Sequence, residues 1–289
     1  MTQTVGVDVS GATARAVTVA DDGQVSGGAS VSGPDAMGAL KAALAGVKRS
    51  SDLTLGVATD DPQLAAAAPE SFPTSGPRPV MCRAGDALAS AEAWMGGARG
   101  ARHAICLWLG DRVLAGVLLD GKPWPGSHGL AGAAAWLALN PVERQDYRKY
   151  GSFAAEVNDR GIARRLAWRV QAGDESSVGA GATSLDSIAA ADVFAGARSG
   201  DGVAISVVRD TARYIAMAAV NLAIALDPEV VVVGGPITSA SDLLLDATRQ
   251  DFERRLPPAM IGQVRCEFSP LGGTAIAIGA ARMAMVART

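Results

Sequence analysis

The chain has 289 residues, 49% of them hydrophobic and only 4% aromatic, with a formal net charge of -3. That length suits two domains whose cores pack small aliphatic side chains at close backbone approach, and the mild negative charge excludes a broad basic field for DNA or RNA phosphates. No apolar run reaches the length of a membrane span, no basic leader follows Met1, and Cys82, Cys106 and Cys266 are odd in number and far apart, so the expectation is a cytoplasmic protein without direct nucleic-acid contact, membrane contact or a disulfide framework.

Thr4–Ser10 is apolar and β-branched, SGAT turns the chain, and Ala14–Ala20 alternates, which together read as a hairpin opening a sheet. After the DDG turn come a strand over Val25–Ser32, a helix over Pro34–Val47 with Pro and Asp in its first turn, and a strand over Asp52–Thr59. Asp60–Pro79 is rich in Pro, Ala and Ser and reads as a loop with at most one helical turn. Val80–Arg83 is a short buried strand, and Asp86 stands where an N-cap would precede the helical ALASAEAWM. GGARGAR marks a boundary.

His103–Leu109 and Val113–Leu119 then form two strands joined by a GDR turn, followed by the glycine-rich loop DGKPWPGSHGLAG. Helical patterns occupy Pro141–Ala172, Ser187–Arg198 and Gly202–Leu226, and PEVVVVGGP is a fully buried strand ending in a glycine turn. A helix over Ser241–Arg255, a strand over Val264–Ser269 and a small-residue helix over Thr274–Ala287 complete the order. Two strand-rich starts with glycine turns point to a duplicated α/β unit with a ligand site between the halves.

Taken together, VGVDVSGATARAVTVADDGQV, GDALASAEAW, LGDRVLAGVLLDGKPWPGSHGLAG, LDPEVVVVGGP and GGTAIAIGAA resemble, in order and spacing over nearly the whole chain, the ROK group of bacterial kinases and regulators. The resemblance implies the actin-like ATPase (ribonuclease H-like) α/β fold: two similar domains, residues 1–97 and 98–278, with a cleft between them for a small-molecule ligand, and a terminal helix of about 279–289 packing back on the first domain. It also implies ATP and Mg²⁺ as cofactors and association as a homodimer. Regulators of the group place a helix-turn-helix ahead of the kinase-like part, and here a sheet strand begins within a few residues of Met1, so the expectation is a sugar-kinase-like protein.

In the group, a D-x-G-G-T turn and a G-T-G turn bring glycine backbone N–H groups to the ATP phosphates. The positions that match are Asp8, Gly11 and Thr13 in the first turn, with Ser10 and Ala12 as departures, and Gly110 in the second, where Asp111 and Arg112 replace the threonine and glycine. A carboxylate at Asp111 repels phosphate by about 4 kcal/mol at 4 Å and an intermediate effective dielectric, unless Mg²⁺ or Arg112 offsets it; the alternative is a solvated hairpin turn. Gly234 and Gly235 follow the buried strand as the group's nucleotide turn does, while Gly279 opens a close-packed helix; both could equally serve packing. Asp86 matches the catalytic base of the N-D pair, against a second register that puts Ala84 there and leaves Asp86 as a cap.

The sugar side departs further. A-G-E-x-G-H becomes Ala131, Gly132, Ala133, Ala134, Ala135 and Trp136, and the cysteine-rich stretch that would bind zinc becomes QDYRKYGSFA, so neither the sugar-holding glutamate and histidine nor a zinc site is expected. Trp124, Trp136 and His128 read as packing or loop residues. Two functions follow: a protein degenerate in sugar binding and catalysis that binds a ligand or partner, or an active ATP-dependent kinase for a nonstandard sugar or less polar hydroxyl compound, with Asp86 as base.

Overall fold

A computed structural model describes residues 3–20, 22–47, 53–72, 78–179 and 187–288. Asp21 of the DDG turn, position 52 of the fourth predicted strand and residues 73–77 of the predicted loop lie outside them. The chain divides into two compact units, one of residues 1–106, 116–132 and 271–289, the other of 107–115 and 133–270.

The first unit opens with β1 (Gln3–Ser10), β2 (Thr13–Ala20) and β3 (Val25–Ser32), then α1 (Ala36–Leu44), β4 (Thr54–Ala58), α2 (Pro62–Ala67), β5 (Val80–Cys82) and α3 (Ala84–Met95). β1 to β3 pair antiparallel, and β4 and β5 add in parallel on the other side of β1, giving the order β3-β2-β1-β4-β5. One line across this sheet matters for chemistry: Asp8 pairs with Ala58, and Ala58 with Cys82, so three parallel strands reach their carboxyl ends together. The alternation of Val5, Val7 and Val9 buries one side of β1 against Leu40, Leu44 and Leu64 of the two helices. Asp35 starts α1 by accepting from Gly38 N–H at 2.7 Å, and Asp61, followed by Pro62, starts α2 by accepting from Gln63 and Leu64 N–H.

The chain continues through β6 (Ala104–Leu109), β7 (Val113–Leu119), β8 (Lys122–Pro123), α4 (Gln145–Tyr150), α5 (Ser152–Val157), α6 (Asp159–Gln171), α7 (Ala190–Arg198), α8 (Gly202–Leu226), β9 (Val230–Gly234), α9 (Ser241–Arg255), β10 (Arg265–Phe268) and α10 (Ala275–Arg288). The second sheet has the order β10-β9-β6-β7-β8, which is the first sheet's order repeated with its own strands. The all-buried run Val230–Val233 on β9 and Phe153, Ile162, Leu166, Ile215, Leu244 and Phe252 fill the core of the second unit.

The predicted helical stretch Pro141–Ala172 is three helices. Gly151, at φ +90°, ends α4 with backbone that only glycine adopts freely, and a Cβ there would strike the Ala135 carbonyl. Asn158 then caps α6 by accepting from Gly161 N–H at 2.6 Å. No helix among the described residues is long and apolar enough to cross a membrane.

Candidate functional site

In the first unit, the carboxyl ends of β1, β4 and β5 gather three carboxylates. Asp8 lies on β1, Asp60 follows β4, and Asp86 stands in the first turn of α3. All three raise the pKa of the Cys82 thiol, which burial, the largest cause, together with them pushes up to about 12. The start of α3 corrects the expectation that Asp86 caps it: the helix begins at Ala84, Arg83 takes the N-cap position, and Asp60 accepts from Ala84 N–H at 3.1 Å. The cap therefore comes from another strand end, a long-range partner that local sequence does not reveal.

Freed from capping, the Asp86 side chain is 16% exposed and 3.7 Å from Arg83 Nη1. Burial raises its pKa most, Arg83 pulls it down, and the charge on Asp60 pushes it up again. A base is most effective with a pKa nearer the working pH, so this environment moves Asp86 in the useful direction. Ala84 is fully buried. Arg83 does more than pair with Asp86: its Nη1 donates to the Pro125 carbonyl and its Nη2 to the Ala131 carbonyl, both at 2.9 Å, which fastens the glycine-rich loop to the start of α3.

The turn between β1 and β2 is exposed. Gly11 sits at φ +53° with open space where a Cβ would point, so a ligand can approach its backbone. Thr13 is exposed and its hydroxyl donates to the Ser10 carbonyl at 2.9 Å, inside the turn.

In the second unit, the turn after β6 and the turn after β9 touch. A Cβ on Gly110 would strike the Pro236 ring at 2.8 Å, and one on Gly235, at φ +90°, would strike the Leu109 carbonyl at 2.6 Å. Gly110, Gly234 and Gly235 are thus brought together with Asp111. Sequence reasoning missed Asp159, at the start of α6, whose N–H donates to the Gly110 carbonyl at 3.2 Å. Burial first, and the charge of Asp111 second, raise the Asp159 pKa. Two carboxylates beside this glycine turn would repel a bare polyphosphate; they also offer oxygen ligands of the kind Mg²⁺ takes while keeping most of its waters.

The stretch aligned with the group's zinc ligands carries an ion-pair network. Arg144 Nη2 reaches Asp146 at 3.1 Å and Glu156 at 2.6 Å, Arg164 holds Asp146 at 2.7 Å, and Tyr147 donates its hydroxyl to Glu156. No group of three or more His, Cys, Asp or Glu side chains suited to a metal occurs among the described residues. Trp124 and Trp136 are 43% and 59% exposed, which places them among loop rather than core residues, and His128 is exposed as expected.

The family model described as "ROK family" matches residues 79–286. The chain belongs to the ROK family. This ROK protein is 32% identical over 190 residues to a glucokinase of Halalkalibacterium halodurans, covering 65% of this chain and 58% of that one. It is 26% identical over 197 residues to a glucokinase of Thermotoga maritima, covering 68% and 62%. The match thus spans about three fifths of the length of these relatives. Among solved structures, a ROK family glucokinase from Streptomyces griseus in complex with glucose and AMPPNP aligns over 98% of this chain and 99% of that one, with a TM-score of 0.80 and 26% identity. A ROK family transcriptional regulator, a homologue of the E. coli MLC protein, has a TM-score of 0.78 at 20% identity over 98% and 78% of the chains, and shares the fold. The fold is the two-sheet α/β actin-like ATPase type that the sequence motifs imply.

Proposed function

We propose that this ROK protein is a sugar-kinase-like phosphotransferase that uses ATP and Mg²⁺ on an alcohol hydroxyl of a substrate less polar than an ordinary hexose. The single observation that carries the reading is Asp86: a mostly buried carboxylate at the start of α3, released from capping by Asp60 and raised in pKa toward the range of a general base. Its environment is what proton abstraction from an alcohol asks for. The glycine turns at Gly11, Gly110 and Gly234–Gly235 suit close backbone approach by phosphates, and Asp111 with Asp159 would hold the Mg²⁺ that such a charge arrangement requires. Bound ATP supplies the phosphoryl group and Mg²⁺ neutralises its charge.

With ATP bound, Asp86 would accept the proton of the acceptor hydroxyl as that oxygen bonds to the γ-phosphorus and the bond to the departing ADP breaks. Arg83 keeps the base helix and the loop of Pro125 and Ala131 in one arrangement. The acceptor is less polar because Ala133, Trp136 and Ala154 stand where the group's glutamates and histidine would grip sugar hydroxyls, and each lost buried partner costs about 1–3 kcal/mol.

A second reading, a degenerate protein that binds a ligand or partner without transfer, draws on the Asp111–Asp159 pair, whose like charges weaken phosphate binding if no Mg²⁺ joins them. Thermal unfolding with and without Mg-ATP separates the two, since a nucleotide at a hundred times its Kd adds about 2.7 kcal/mol. No shift in Tm overturns the kinase reading. If the shift is present, Asp86→Asn should abolish phosphotransfer to an alcohol panel and leave the shift intact; undiminished transfer removes Asp86 from its role.

A further inference from the structure

A cavity of about 610 Å³ lies in the second unit between α6 and α8, and none of the proposed base or nucleotide residues lines it. Trp168 and Tyr214 supply aromatic wall, and Arg144, Arg165, Arg169 and Arg213 supply cations. The arginines fall into two groups. At the rim, Arg169 pairs with Asp174 at 2.6 Å and Arg213 with Asp210 at 2.7 Å, all four more than two fifths exposed. These pairs are neutral in sum and cheap to rearrange.

Deeper down, the ion pairs of Arg144, Arg164 and Arg165 among the described residues run to Asp146 and Glu156, while Asp210, already paired with Arg213, adds its charge to Arg165 from the rim. Three cations less two anions leave one positive charge. Arg165 carries the poorest compensation: its Nη1 donates to the Val207 carbonyl at 3.3 Å and its Nη2 to Thr211 Oγ1, but its buried Nε–H has no hydrogen-bond acceptor among the described residues. Glu156 is 3.5 Å from that nitrogen, an ion-pair distance without hydrogen-bond geometry. Burial pulls the Arg165 pKa down, and Glu156 and then Asp210 push it back.

The ring chemistry is equally specific. Arg144 and Arg164 lie 5.2 and 4.7 Å from the Trp168 ring centre, and Arg165 lies 5.8 Å from that of Tyr214. Trp168 nevertheless remains 42% exposed, which leaves ring surface for a flat ligand. We propose that this cavity binds a small planar aromatic monocarboxylate, its ring against Trp168 and Tyr214 and its carboxylate against the guanidinium groups of Arg144 and Arg165. One negative charge balances the surplus, whereas a phosphate monoester, at about −1.5 to −2, overshoots it. The volume falls in the range of small-molecule sites.

The test uses the full chain and 2-naphthoate as probe, with binding followed by calorimetry. Saturable one-site binding is expected, at least tenfold tighter than that of 2-naphthamide, which lacks the charge, of cyclohexanecarboxylate, which lacks the flat ring, and of 2-naphthyl phosphate. Trp168→Ala, on an exposed side chain, should weaken 2-naphthoate at least tenfold, and Arg165→Lys should do so while the fold persists by circular dichroism. Equal affinity for the amide, preference for the phosphate, or an unchanged Kd in Trp168→Ala overturns the proposal. So does an absence of 2-naphthoate binding combined with a change in sedimentation of Trp168→Ala, which would make the face a contact between copies.

Discussion

Glu156→Gln isolates how much the buried ion-pair network holds in place. The Glu156 side chain is 2% exposed; one oxygen accepts from Tyr147 and, at 2.6 Å, from Arg144, and the other faces Arg165 at 3.5 Å. Glutamine keeps the shape and one acceptor but removes the charge, leaving Arg144 and Arg164 against Asp146 and Arg165 without its ion-pair partner. Removing one partner of a buried pair costs about 3–5 kcal/mol because the cation left behind stays desolvated. At about 2–4 °C per kcal/mol for a domain of this size, Tm should fall by about 6–20 °C. The control is Glu143→Gln, which breaks the Arg148 pair at 2.8 Å, where both side chains are more than 70% exposed. Such a pair is worth less than about 1 kcal/mol. Urea titration monitored by circular dichroism reads both variants. A Glu156→Gln loss below about 1 kcal/mol, indistinguishable from the control, would refute the reasoning that this network holds α4, α5 and α6 in place.

Asp60→Asn should lower the Asp86 pKa, because Asp60's charge is one of the two influences that raise it, after burial. A carboxyl held above its unfolded pKa makes stability fall as pH rises from the unfolded to the folded value, so the variant should narrow that loss; carbon-13 titration of the Asp86 carboxyl checks the direction, and an unchanged or higher pKa contradicts it. Asparagine can still accept from Ala84 N–H, so the change in stability should stay below about 1 kcal/mol. Cys266, buried, and Cys82, half-buried, are both pushed up to about 12, hold about one thiolate in ten thousand at pH 8 and should resist iodoacetamide in the native protein while reacting in urea; rapid native labelling would contradict the raised pKa. Gly279→Ala should destabilise despite a gain in helix propensity of about 1 kcal/mol, because the new methyl runs into the Ala87 carbonyl, an overpacking that typically costs about 1–3 kcal/mol. A neutral or raised urea midpoint would show that α3 and α10 can move apart at no cost.

Elements set by local chemistry were the most legible. α8 and α9 have the predicted bounds, because Asp201 caps Ala204 N–H at 2.8 Å, Asp227 ends α8 at φ +46°, and proline and glycine punctuate α9. β9 announced itself as an unbroken run of valines with a glycine turn. Elements set by distant partners were misread. The start of α3 shifted because its cap, Asp60, lies 24 positions earlier. α2, by contrast, is set locally: it extends the single helical turn read in that loop, because Asp61 and Pro62 suffice to start a short helix. At the site, the glycines and Asp86 carried motif signal, whereas Asp60, Arg83 and Asp159 act only through neighbours that folding brings up; a paired aspartate at the end of a buried strand was the one hint available for Asp60.

The packing of α10 sets an order of assembly. Gly6 and Gly56, on β1 and β4, lack side chains because the backbone of α10 passes where their Cβ atoms would be, at Ala277, Ala280 and Ala281. That groove is shaped by residues made before the second unit and filled by residues made after it. On the ribosome, the opening sheet therefore waits with a bare valley while residues 133–270 emerge, and the second unit has every strand and helix it needs before the first can close.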